Sequence, residues 1–189
     1  TTTNALAEQI NTKQLDKIDS PSHYFTADIE GEFGREYLPT ATTLQVKAGA
    51  QVMRVNNDLY GGWVNGTLGK IVEIDTRKPG KEAIIVELAD GDEVEVYPNT
   101  WEIYNFSVEE GQIQSNVVGT FTQYPVMLAW AVTIHKSQGK TLDNVLVDLG
   151  TGAFASGQTY VALSRCRSLE GMHLARAIRP TDIICDPVI

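Results

Sequence analysis

Between Gln51 and Tyr97 the chain carries four short strand-like runs with no helical pattern between them. The runs are Gln51–Val55, Gly69–Ile74, Ala83–Leu88 and Glu93–Tyr97, rich in β-branched residues. Their separators, Asn56-Asn57-Asp58, Lys78-Pro79-Gly80 and Asp90-Gly91-Asp92, are turn chemistry, and the last is a hairpin signal. Strands that follow one another so closely pair antiparallel, because a parallel pairing needs a long crossover. The block therefore predicts a small antiparallel barrel, inserted into the chain over roughly residues 44–121.

The flanks have a different texture. From Asn4 to Ile18, Leu6, Ile10, Leu15 and Ile18 approximate helical spacing, with Asn4 as N-cap and Ser20-Pro21 as the stop. Residues 21–43 are polar and glycine-bearing and predict a connecting loop. After Pro125, Val126–Ile134 is apolar, small and helix-compatible. Asn144–Leu149 then predicts a buried strand, Gln158–Arg167 a helix and Met172–Ala175 another strand. Strand, helix and strand in succession imply a parallel α/β layer. Residues 1–43 and 122–189 would build one discontinuous α/β domain around the insertion.

With 42% apolar residues among 189, the chain can bury a core. A formal net charge of -9 argues against a protein that coats nucleic acid nonspecifically, though a short lined groove remains compatible with it. Cys166 and Cys185 lie too far apart for a metal knuckle and predict buried or half-buried thiols in a reducing cytoplasm. No apolar run approaches membrane-spanning length, so no membrane partner is expected. A chain that starts at Thr1 without Met is expected to be a piece of a longer protein.

Four weaker patterns compete for the glycines and polar residues near the end of the chain. Gly139-Lys140-Thr141 has the tail of a phosphate loop, but its leading position holds Ile134. Gly152 to Thr159 fits that spacing better, yet Gln158 stands where the lysine must neutralise phosphate charge. Gly150-Thr151-Gly152 with Ala155 mimics a dinucleotide fingerprint, with too little chain beyond it for the remaining strands. A hydrolase triad from Ser137, His135 and Asp148 lacks a nucleophile elbow.

Two other runs are more specific: Thr133-Ile134-His135-Lys136-Ser137-Gln138-Gly139, and Tyr160-Val161-Ala162-Leu163-Ser164-Arg165-Cys166-Arg167. Both sit where an apolar segment meets a polar one, at places where backbone N–H groups can meet phosphates. They resemble the last two motifs of superfamily-one DNA helicases, in particular the Pif/RecD-like branch. Thr2–Asn11 is similar to the segment that opens that family's second motor domain. Leu44–Met53 with Val64–Gly69 is similar to the start of its SH3-like insertion, and Pro125–Val132 leads into the first run. The resemblance spans nearly the whole chain in the family's order.

That resemblance implies a RecA-like second motor domain, interrupted by an SH3-like barrel, in an ATP-dependent DNA helicase that translocates 5′-to-3′. Arg165 would be the arginine finger, a guanidinium that stabilises charge on the transferred phosphoryl oxygens. Gly139, Lys140 and Arg167 would lie at the nucleotide, with Arg167 either bonding it or bracing the motif. Thr133, His135 and Lys136 would hold the backbone of single-stranded DNA without reading bases, and Asn65 with Gly66 would form a DNA-touching turn. ATP and Mg²⁺ would be gripped by an N-terminal motor domain that this stretch lacks, so it is expected to hydrolyse no ATP alone. The competing class is an SH3-like binding module on an α/β scaffold, which has no reason to carry the two runs.

Overall fold

The computed structural model describes residues 1–58, 61–77, 80, 82–109 and 112–186, the side chains of residues 108 and 109 excepted. Lys78 and Pro79 of the predicted turn lie outside the described residues. The chain divides into two compact units, one of Thr1–Gln14 with Trp130–Ile189 and one of Leu15–Ala129. It is an α/β protein with mixed sheets.

Helix α1 runs from Asn4 to Asp16. Its cap is Thr3, one residue before the predicted Asn4: the Thr3 hydroxyl accepts the Leu6 N–H at 3.3 Å. Ala7, Asn11 and Leu15, spaced by four, are its buried positions.

The second unit is built mainly of strands. Strands β1 (His23–Thr26), β2 (Asp28–Gly31), β3 (Thr43–Val46) and β4 (Gln51–Arg54) come first. They are followed by β5 (Leu68–Asp75), β6 (Ala83–Leu88), β7 (Glu93–Val96), β8 (Asn99–Glu109), β9 (Gln112–Gln123) and β10 (Val126–Leu128). All their pairings are antiparallel: β1 with β3, the order β2-β9-β8, and a five-stranded sheet β10-β4-β5-β6-β7. Val52, Ile71, Ile84, Val86, Val96 and Val126 of that sheet are fully buried. Gly69 on β5 lets the backbone pass close to β6, since a Cβ there would lie 2.4 Å from Val86 Cγ1. The predicted β6–β7 hairpin forms around Gly91, at φ 90°.

Several expectations need correction. The five-stranded sheet is open, with β10 and β7 at its edges, and no closed barrel occurs among the described residues. Residues 21–43 are not only loop. They hold β1 and the fully exposed β2, both paired with strands distant in sequence, and a locally bonded 3₁₀ turn at Arg35–Tyr37. Val126–Leu128 is a strand rather than part of a helix, because pairing with β4 settles what a short apolar run leaves ambiguous. The long β8–β9 hairpin falls in a stretch for which no element is predicted. The expected boundaries at 43/44 and 121/122 lie inside the second unit, because β1, β2 and β10 pair with strands of the predicted insertion or its immediate flank.

The first unit adds β11 (Val145–Val147), α2 (Gln158–Leu163) and β12 (Met172–Leu174), with β11 and β12 parallel as predicted. Ile134, Val147, Leu149 and Ala162 form its core. Helix α2 stops at Leu163, short of the predicted Arg167. The chain leaves the helix to make a parallel bridge between Cys166 and Leu142. Near its end, Arg176 clamps both oxygens of buried Asp182, at 2.7 and 2.8 Å. Cys166 is half-buried and Cys185 exposed, the latter against expectation, and neither is in a disulfide. Among the described residues no helix is long and apolar enough to cross a membrane.

Candidate functional site

The segment Ile134–Gly139 folds as consecutive turns on a buried base. Thr133 is buried, and its hydroxyl accepts the Lys136 N–H at 3.3 Å while its carbonyl accepts Ser137 N–H at 3.0 Å. Its hydroxyl thus caps the turn from the buried side. Ser137 is also buried, its hydroxyl donating to the Ile134 carbonyl at 2.7 Å, which leaves nothing of a nucleophile. His135, Lys136 and Gly139 are exposed on the outer side of the turns. Partial burial, then the charge of Lys136, holds the half-buried Lys140 ammonium below its usual range.

Gly139 adopts φ +73°, and no atom lies within 4 Å of the place a Cβ would occupy. The requirement for glycine here is therefore the left-handed backbone, with open space beside it.

The second motif meets this turn directly. Leu142 donates its N–H to the Arg165 carbonyl at 2.8 Å, and its own carbonyl accepts Arg167 N–H at 2.9 Å. The half-buried Arg165 side chain completes the junction: Nε donates to the Val161 carbonyl at 3.0 Å, Nη1 to the Lys140 carbonyl at 3.3 Å and Nη2 to Ser164 Oγ at 2.9 Å. The guanidinium is thus oriented by backbone carbonyls and a hydroxyl, with none of these three contacts to a carboxylate. Arg167 takes the other course, pairing with Asp143 at 2.9 Å on the surface, where such a pair contributes at most about 1 kcal/mol.

Asn65 belongs to the second unit. It is exposed, and its N–H is held by Asn57 Oδ1 at 2.7 Å beside Gly66 at φ +99°. Among the described residues no group of three or more His, Cys, Asp or Glu side chains could hold a metal ion.

Two polar residues escaped the sequence. Gln158, standing at the lysine position of the false phosphate loop, is buried and accepts Phe154 N–H at 3.0 Å, so it shapes the 154–158 turn. Arg54 is fully buried in β4. Its only sequence signal is a lone charge inside an apolar strand.

No family model matches the chain. Individual proteins do. The ATP-dependent DNA helicase Pif1 of Bdellovibrio bacteriovorus is 37% identical over 188 residues, which are 97% of this chain and 40% of that protein. The ATP-dependent DNA helicase PIF1 of Rattus norvegicus is 39% identical over 181 residues, 93% of this chain and 26% of that protein. Unliganded Pif1 from Bacteroides superposes with a TM-score of 0.86 at 33% identity, over 99% of this chain and 42% of that one. The Bacteroides Pif1 complex with ADP-AlF3 and single-stranded DNA gives 0.78 at 33% identity, again over 99% of this chain and 42% of that one. The chain is thus similar over nearly its whole length to Pif1 DNA helicases and spans two fifths or less of the length of these curated relatives.

Proposed function

We propose that the chain is the C-terminal motor portion of an ATP-dependent DNA helicase, working in the cytoplasm or nucleoid. The first unit would carry the RecA-like second motor domain and the second unit the SH3-like insertion. The observation that carries this reading is the junction of the two motifs. The Arg165 guanidinium donates to the Lys140 carbonyl beside the exposed, left-handed Gly139, and His135 and Lys136 stand on the same turn.

A nucleotide triphosphate with Mg²⁺, held by another motor domain, supplies the scissile phosphoanhydride. Arg165 brings positive charge to the oxygens that gain charge as that bond breaks. Gly139 leaves its backbone open to a phosphate, which a side chain would obstruct, and Lys140 adds charge nearby. Thr133 shapes the turn from which His135 and Lys136 reach a DNA strand. These contacts go to phosphates, as movement along any sequence requires. Asn65 would add a contact from the second unit.

In the full-length protein, Arg165→Ala is expected to lower DNA-stimulated ATP turnover by about 10³–10⁵ while leaving single-stranded DNA affinity within a few-fold. Steady-state phosphate release and oligonucleotide binding measure the two effects. Undiminished turnover would remove Arg165 from the reaction. A pure binding module would show no turnover to lose.

A further inference from the structure

Helix α2 ends early, and Arg165 is held at that end. The Arg165 N–H turns to the Ala162 carbonyl at 3.4 Å, so the Val161 carbonyl loses the backbone donor that a continued α-helix would give it. Two side chains take that place. Arg165 Nε donates to the Val161 carbonyl at 3.0 Å, and the Ser164 hydroxyl donates to the same oxygen at 3.0 Å. Ser164 Oγ in turn accepts Arg165 Nη2 at 2.9 Å. One carbonyl, one hydroxyl and one edge of the guanidinium thus close a ring of three hydrogen bonds.

A serine that bonds a carbonyl one turn back is common in helices. Here that bond uses the hydroxyl's only proton and leaves its acceptor side for the arginine. Ser164 is exposed, so the Val161 carbonyl and not burial fixes its hydroxyl. Beyond the ring, Nη1 reaches the Lys140 carbonyl at 3.3 Å. A guanidinium has five N–H groups in a rigid plane, so these bonds leave two of them for a further acceptor. All the acceptors are neutral, and the tether orients the cation without cancelling its charge. The neighbouring arginines are held otherwise, Arg167 by Asp143 and Arg176 by both oxygens of Asp182.

We propose that Ser164 is the positioning residue of the Arg165 finger: its hydroxyl locks the Nε–Nη2 edge so that the two remaining N–H groups meet the transferred phosphoryl oxygens. The assignment rests on the helicase reading above and deepens it, giving the finger its orientation before the nucleotide arrives. A long side chain left free to rotate would have to be ordered as the bond breaks, whereas donors already in place need no such ordering.

The test is DNA-stimulated ATP turnover by the full-length protein, comparing Ser164→Ala, Ser164→Thr, Arg165→Ala and the double alanine variant. Single turnovers with enzyme in excess resolve the slow variants. Ser164→Ala is expected to lower kcat about 10–100-fold, the scale of a misplaced catalytic group, and to leave KM for ATP, single-stranded DNA affinity and melting temperature unchanged. Ser164→Thr keeps the hydroxyl and is expected to restore most of kcat. In the Arg165→Ala background the serine change is expected to add nothing, because the two side chains act as one unit. Ser164→Cys, similar in shape but a weak acceptor, decides the matter if the alanine variant fails to fold. With Arg165→Ala defective, native kcat in Ser164→Ala, an equal loss in Ser164→Thr or a further loss in the double variant would overturn the assignment alone. A lowered melting temperature with kcat and KM changing together would mark a structural role and overturn it equally. Undiminished turnover in Arg165→Ala would overturn the assignment together with the reading of that arginine on which it rests.

Discussion

Asp182 is 1% exposed, and its carboxylate stays ionised because Arg176 grips both oxygens and the Arg179 N–H bonds one of them. These bonds, Arg176 first, hold its pKa far below the ordinary aspartate value of about 3.9. A group whose folded-state pKa is depressed contributes stability that is fully present above the unfolded value and is lost as pH falls toward the folded one. The stabilisation should therefore be complete above about pH 5 and decline below about pH 4. Asp182→Asn is expected to lower the melting temperature at pH 7 and to flatten its fall between pH 4 and pH 2.5. Curves for the two proteins that stay parallel over that interval would show that Asp182 is not the titrating group. Neither Asp182 nor Arg176 stands out in the sequence, because a buried ion pair has no local pattern. Arg165 and His135 did stand out, through the motifs around them, while the inward turn of Thr133 was not legible. Two hydrogen bonds within 133–137 decide it, and they depend on which side of the turn meets the core.

Among the elements, α1 is tied to the segment that precedes the first motif by one side chain. Asn11 Nδ2 donates to the Ala131 carbonyl at 2.8 Å, and Asn11 Oδ1 accepts the Ala131 N–H at 2.8 Å. Asn11→Ala would leave both backbone groups without these partners, a loss of about 2–3 kcal/mol when such groups are shielded from water. Urea unfolding should register that loss, and a change below about 0.5 kcal/mol would show that water replaces the amide without cost. Helix α1 was legible because Leu6, Ile10 and Leu15 approximate helical spacing and a proline follows, although of these only Leu15 is buried. Strand β2 was not: all four of its residues are exposed, and its hydrogen bonds go to residues 119–122, about ninety positions away. The β8–β9 hairpin was missed for a related reason. Tyr104, Phe106, Ile113 and Val117 are exposed along it, so no alternation of inside and outside marks its distal half. Pattern reading detects burial, and these strands bury little.

On the scale of the whole chain, the two units differ in how they are assembled. Every strand pairing of β1 to β10 is satisfied within Leu15–Ala129, whereas the first unit needs two segments separated by more than a hundred residues. Residues 15–129 expressed alone are therefore expected to unfold cooperatively, with a dispersed amide spectrum and a single urea transition. A spectrum typical of an unfolded chain would mean that those sheets depend on the rest of the protein. The first unit is completed only where its two segments meet. Within it, Leu142 is bonded through both backbone groups to the residues on either side of Cys166. The strip from Gly139 to Leu142 and the strip from Arg165 to Arg167 are therefore joined through the main chain, and the Arg165 side chain adds one further bond between them.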